Sequence, residues 1–198
     1  MNLPSVILAS ASPRRSQLLR QLGIEFRVMP ARVQDIHPEH LTPHEICQVN
    51  AYRKARSVAK KFPDALVLGA DTLVCLGTSV FGKPRDLQEA HQMLTRLQGR
   101  THQVVTGICL VHLRDRRQKL FAESTVVTFR TLHAEQLRRY LSKVDPLDKA
   151  GGYAIQEEGD LIVKSVNGSI SNVVGLPVER LEAELACWRR PQAAVMGS

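Results

Sequence analysis

With 198 residues, 43% of them hydrophobic and 23% charged, the chain has an ordinary globular composition and suits one domain, or two lobes sharing one core. A formal charge of +8 and a pI near 9.7 suit an anionic partner without choosing among nucleotide, nucleic acid and acidic lipid. With 5% aromatic residues, a platform for stacking single-stranded nucleic acid is disfavoured. No apolar run reaches membrane-spanning length, and the N-terminus lacks a basic region followed by a long apolar one, so a cytoplasmic setting is expected. Cys47, Cys75, Cys109 and Cys187 are too scattered for a zinc or redox motif and read as reduced thiols, most of them core residues.

Along the chain, Val6-Ile7-Leu8-Ala9 reads as a buried strand. Ser12 then caps a helix with Pro13 in its first turn and Leu18, Leu19 and Leu22 as its apolar stripe, and Gly23 ends it. Thr42-Pro43-His44-Glu45 is a capping box that opens a helix to about Lys61. Leu66 to Leu76 reads as an apolar strand interrupted by Gly69 and Asp71. Asp86-Leu87-Gln88-Glu89 is a further capping box, opening a helix to about Gln98. Thr101–Leu113 and Phe121–Thr131 form a long antiparallel hairpin around a polar turn, Arg114–Lys119. A helix over Ala134–Lys143, a strand over Leu161–Val166 and a helix over Pro177–Trp188 follow. The alternation predicts a single α/β domain over 1–198 with a mixed sheet, 189–198 being a tail.

Four groups of residues carry candidate chemistry. Ser10-Ala11-Ser12-Pro13-Arg14-Arg15 sets two arginines in the first turn of a helix, against the positive end of its dipole. A bound phosphate would turn that repulsion into attraction, because N–H groups, dipole and guanidinium forks would meet one anion. The alternative is arginines that point into water. Asp71, in Gly69-Ala70-Asp71-Thr72, is costly to bury unless paired, hydrogen-bonded or bound to a metal. It suits a divalent cation or the proton of an attacking water, or else it is a strand-end turn residue. Lys54, within a helix, and Lys83, in a loop before one, can reach a phosphate or be solvated. Asp35, in a polar loop, is a candidate second metal ligand. In Asp148-Lys149-Ala150-Gly151-Gly152-Tyr153-Ala154-Ile155-Gln156, the glycines allow close backbone approach or a sharp turn and Gln156 has the donor and acceptor for a base edge, or else this is a glycine loop with a solvated glutamine.

The ordered set Leu8 to Arg15, Lys54-Ala55, Gly69-Ala70-Asp71-Thr72, Gly82-Lys83-Pro84-Arg85-Asp86, Thr101-His102-Gln103-Val104, Asp148-Lys149-Ala150-Gly151 and Val174-Gly175-Leu176-Pro177 resembles the Maf family of nucleotide pyrophosphatases over nearly the whole chain. The resemblance implies a two-lobed α/β fold of Maf/ITPase type, a bent mixed sheet flanked by helices with a nucleotide cleft between lobes. It implies hydrolysis of a nucleoside triphosphate between its α and β phosphates, with Mg²⁺ or Mn²⁺, and a homodimer. Asp71 matches the proton acceptor. Ser10, Arg14, Arg15, Lys54 and Lys83 match the phosphate-cleft residues, and Arg14, Thr72 and Gln156 match positions tied to substrate choice. Asp71 and Asp35 are the implied metal ligands, although the loop acid in the family is usually Glu. Gly-Ala-Asp-Thr with Ile155-Gln156 looks like the branch acting on dTTP and UTP, with modified pyrimidine nucleotides as a housecleaning variant. The 7-methyl-GTP branch usually has Ser-Asp-Gln at positions 70–72. A non-enzymatic role in arresting cell division and septum formation is the alternative of a different class. Dispersed basic residues argue against stable nucleic-acid binding.

Overall fold

Capping chemistry sets the helix starts in the computed structural model, which describes residues 3–188. The predicted tail at 189–198 lies outside the described residues. After the buried strand β1 (Val6–Leu8), helix α1 (Pro13–Gln21) begins where the Ser12 hydroxyl accepts the Arg15 N–H. Strand β2 (Phe26–Val28) precedes α2 (Pro43–Ala59), which carries the complete Thr42/Glu45 capping box. Strands β3 (Leu66–Leu76) and β4 (Ser79–Phe81) lead to α3 (Leu87–Leu97). The α3 box is only half formed. Asp86 accepts from Glu89 N–H at 2.7 Å, but the Glu89 carboxylate turns to the backbone and side chain of Arg85.

The hairpin β5 (Thr101–His112) and β6 (Arg117–Phe129) has a shorter turn than the composition predicts. Arg117 and Lys119 continue the strand because their stems cover the end of the last helix: Arg117 stacks over Trp188 and Lys119 pairs with Glu184. Helix α4 (Ala134–Leu141), a short α5 (Gly159–Ile162), β7 (Val163–Asn167), a short α6 (Ile170–Val174) and α7 (Val178–Ala186) complete the described chain. Leu161, expected in a strand, belongs to α5 instead.

The strands form one mixed sheet in the order β2-β1-β3-β5-β6-β7. Strand β3 organises it. One edge pairs with β5 from Val67 to Cys75. The other edge pairs with β1 over Leu66–Leu68 and with β4 over Val74–Leu76. Between those pairings, residues 69–73 have no strand neighbour on that side, and the gap falls at Asp71.

Helices cover both faces. Leu8, Leu19, Leu68, Ile108, Leu181 and Trp188 form a core beneath α1 and α7. Ile7, Ala51, Ala55, Val67 and Cys109 form another beneath α2, on the opposite face. A third cluster, including Val74, Leu94, Leu97, Phe129 and Tyr140, lies beneath α3 and α4 and makes the second lobe. Cys47, Cys75 and Cys109 are free and buried, while free Cys187 is exposed.

Helix α2 sits unusually close to the sheet because two strand glycines face it. A Cβ at Gly69 would lie 2.3 Å from the Ala51 carbonyl oxygen, and one at Gly107 would lie 2.3 Å from the Cys47 carbonyl carbon. Both obstacles are backbone, so neither can yield cheaply. Gly107→Ala should therefore lower stability by about 2–3 kcal/mol. Gly82→Ala, where nothing stands within 4 Å and φ is ordinary, should change it little. Thermal unfolding of the two variants side by side checks the contrast.

His102 is 2% exposed and stands edge-on to Phe129 and Tyr153, with Nε2 2.8 Å from the Tyr153 hydroxyl. Burial pushes its pKa from 6.5 down to about 4. The unfolded chain therefore takes up this proton first. Stability is fully present above pH 6.5 and falls by up to about 3 kcal/mol as pH drops to about 4. Denaturant unfolding between pH 7 and pH 4 should show this slope, and it should flatten in His102→Phe.

Candidate active site

The gap along β3 opens into a cleft lined from both faces of the sheet. Successive strand residues point to opposite sides. Asp71 therefore faces α2, while Thr72 faces α1 and α6.

On the α2 side, Asp71 is 6% exposed and both its oxygens are engaged. Lys54 Nζ lies 2.7 Å from Oδ1, and the Asn50 amide nitrogen donates to Oδ2 at 3.1 Å. Asn50 and Lys54 are one helical turn apart and so share a face. The same ammonium lies 2.7 Å from Asp35, in the loop before α2. Lys54 thus stands between two carboxylates. Among the described residues no group of three or more His, Cys, Asp or Glu side chains could hold a metal. Two carboxylates suit Mg²⁺, which keeps several waters and completes its shell with substrate phosphates. Asp71 and Asp35 fit that donor set.

On the opposite side Arg15 is half-buried and ties three segments together. Its Nε donates to the Gly175 carbonyl, Nη1 to the Ala70 carbonyl and the Ser10 hydroxyl, and Nη2 to the Thr72 hydroxyl. The Ala70 carbonyl lies within the unpaired stretch of β3, so the guanidinium stands in for the missing strand. Burial lowers the Arg15 pKa and Asp71 opposes that shift. One of its five N–H groups stays uncommitted to these partners.

The Thr72 proton can be assigned. Thr106 has a single hydroxyl hydrogen and donates it to the Asn172 carbonyl at 3.0 Å. In the 3.0 Å Thr72–Thr106 contact, Thr72 is therefore the donor. Thr72 also accepts from Arg15, so it offers the cleft a lone pair and no hydrogen.

The rim carries the remaining charges. Arg14 grips Asp148 twice, through the carboxylate at 2.7 Å and the backbone carbonyl at 3.0 Å. Lys149 also reaches Asp148, at 3.0 Å. Burial opposes ionisation of Asp148, but bonds from Lys149 and Arg14 outweigh it and hold its pKa below the usual value. Lys83, also on the cleft wall, makes no side-chain hydrogen bond or ion pair within the described residues. Partial burial, followed by the nearby charge of Arg15, lowers its pKa. Val104, Tyr153, Ile155, Val173 and Val174 give the cleft an apolar wall, with exposed Gln156 beside it.

Arg14, Arg15, Asp35, Lys54, Asp71, Thr72, Lys83 and Gln156 all line this cleft. Ser10 lies behind its wall, accepting from Ser12 N–H and Arg15, and Ser12 is the serine at the surface of the cleft. Sequence reasoning gave no role to Asn50, His37 or the Arg14–Asp148 pair. Asn50 left one signal, a polar residue between Cys47 and Ala51 on the apolar face of α2. The pair left none, because its partners are 134 residues apart.

Comparison with known proteins agrees with this architecture. Solved structures of the Ham1 protein of Staphylococcus aureus (TM-score 0.51, 15% identity, 93% of this chain and 100% of that one) and a HAM1 protein of Coxiella burnetii (0.50, 14%, 93% and 99%) share the fold. A protein of Pelotomaculum thermopropionicum named dTTP/UTP pyrophosphatase is 45% identical over 179 residues, covering 90% of this chain and 94% of that protein. One of the same name from Symbiobacterium thermophilum is 47% identical over 179 residues, covering 90% and 91%. The family model described as Maf-like protein matches residues 5–188, which span every element that builds the cleft. The chain therefore belongs to the Maf-like protein family.

Proposed function

We propose that the protein is a nucleoside triphosphate pyrophosphatase that hydrolyses dTTP and UTP to the monophosphate and pyrophosphate. The observation that carries this reading is Asp71, a buried carboxylate held by Lys54 and Asn50 in the strand gap and facing the same cleft as Arg14 and Lys83. The relatives named dTTP/UTP pyrophosphatase support the substrate class.

A triphosphate brings close to four negative charges, and the cleft must neutralise them as pyrophosphate leaves. Lys83, which makes no ion pair among the described residues, can meet a phosphate directly. Arg14 exchanges its Asp148 contacts for phosphate oxygens, which suit its fork equally well. Arg15 holds the wall and offers its remaining N–H. Asp71 keeps acceptor capacity after serving Lys54 and Asn50, because an ionised carboxylate has about four lone-pair sites. It takes the proton of a water that attacks the α-phosphorus, and the bond to the bridging oxygen breaks to release pyrophosphate. A divalent cation held by Asp71 and Asp35 would neutralise phosphate charge.

For the base, the apolar wall supplies a face and Gln156 supplies a free amide. Thr72, limited to accepting, suits the N3–H donor of uracil and thymine. The proposed setting is a cytoplasmic homodimer. Among the described residues no helix is long and apolar enough to cross a membrane.

Asp71→Asn should lower kcat about 10²–10³-fold. It keeps an acceptor for Lys54 but turns an amide donor toward Asn50, so a stability loss of about 1–3 kcal/mol should accompany it. Pyrophosphate release and thermal unfolding measure the two effects, and near-parent turnover would remove Asp71 from the reaction. In a panel of dTTP, UTP, 7-methyl-GTP and ITP, the pyrimidine nucleotides should give the highest kcat/KM, and EDTA should abolish turnover until Mg²⁺ or Mn²⁺ is restored. A clear preference for either purine would contradict the base assignment.

A further inference from the structure

Asn50 is 1% exposed, yet its amide is almost fully used. Oδ1 accepts the Ile36 N–H at 2.9 Å, and Nδ2 donates to the Ile36 carbonyl at 3.0 Å and to Asp71 Oδ2 at 3.1 Å. The amide pairs with Ile36 as a neighbouring strand would, and spends its last hydrogen on the carboxylate. Its orientation is fixed, since a flipped amide would set its oxygen against both the Ile36 carbonyl and Asp71.

Ile36 lies between Asp35 and His37, the two loop residues that line the cleft. Residues 29–42 form no helix or strand, and between backbone bonds at Met29 and Leu41 side chains hold this segment. Helix α2 supplies them within two turns. Arg53 donates to the Gln34 carbonyl at 2.8 Å, Lys54 pairs with Asp35, and Asn50 takes both backbone groups of Ile36. Of these three, Asn50 and Lys54 also touch Asp71. Asn50 is short, and it spans from α2 to β3 because Gly69 and Gly107 let the helix settle on the sheet.

We propose that Asn50 is a positioning residue for the hydrolysis. One amide sets the direction of the Asp71 carboxylate and the place of the loop that carries Asp35, so that both acids converge on Lys54. The inference rests on the role of Asp71 proposed above.

The test measures pyrophosphate release by Asn50→Leu and Asn50→Asp, each alone and with Asp71→Asn, alongside thermal unfolding. Asn50→Leu removes all three bonds at similar volume. It should lower kcat about ten-fold or more, the cost of a hydrogen bond to a charged group, with KM within about two-fold of the parent. Asn50→Asp keeps an acceptor for Ile36 N–H and removes both donors, so kcat should fall again, even if the leucine variant does not fold. In the Asp71→Asn background, either substitution should lower kcat several-fold less than in the parent, because the part of its effect that acts through Asp71 is already lost. A purely structural role predicts equal losses in both backgrounds, and that result would overturn the proposal. Parent-like kcat in Asn50→Asp would overturn it as well. If Asp71→Asn alone turns over like the parent, the reading of Asp71 fails first. If Asp71→Asn is impaired and the Asn50 variants are not, only the role of Asn50 fails.

Discussion

A carboxylate in the middle of a buried strand is expensive unless charge and hydrogen bonds meet it on arrival. Asp71 is met by Lys54 on one oxygen and Asn50 on the other, both from one face of α2. That meeting requires the helix to lie closer to the sheet than any Cβ would permit at Gly69 or Gly107. Two missing side chains on neighbouring strands therefore set the reach of two polar side chains on the helix. The same contact turns the loop inward, since Lys54 and Asn50 also bind Asp35 and Ile36.

The cleft exists because the edge of β3 is left open between β1 and β4. An open edge presents unpaired backbone groups, which must find partners. Arg15 supplies one by accepting the role of a strand at the Ala70 carbonyl, and it binds α6 through Gly175 at the same time. Two adjacent arginines in one helical turn thus divide their work. Arg15 is committed to holding the wall. Arg14 is bound to a rim carboxylate, Asp148, which the proposed reaction would exchange for phosphate.

Acids within the cleft balance most of its cations. Arg14, Lys54 and Lys149 are each within ion-pair distance of an acid, namely Asp148, Asp35 with Asp71, and Asp148 with Glu157. These pairings offset part of the repulsion among the cations of the cleft. Lys83 stands apart from this pairing, and its lowered pKa follows from partial burial beside Arg15. An anion at that position would offset the charge of Arg15 and favour the ammonium.

What the sequence determined by itself was local. The caps at Ser12, Thr42 and Asp86 are short-range hydrogen bonds, and they placed the starts of α1, α2 and α3 within a residue. Asp71 was legible because a charge in an apolar strand has few tolerable explanations. Strands β2 and β4 were not: β1 is equally short but wholly apolar and buried, whereas these two mix polar with apolar residues and are partly exposed, so they do not separate from loop. The tertiary structure alone decided which arginine faces the cleft and which holds it, because the Arg15 contact to Gly175 spans 160 residues. It also withdrew Ser10 behind Ser12, paired Arg14 with Asp148, and gave Asn50 its partners. Those outcomes depend on which segments the sheet order brings together, and no periodicity within a segment encodes the identity of a partner on another.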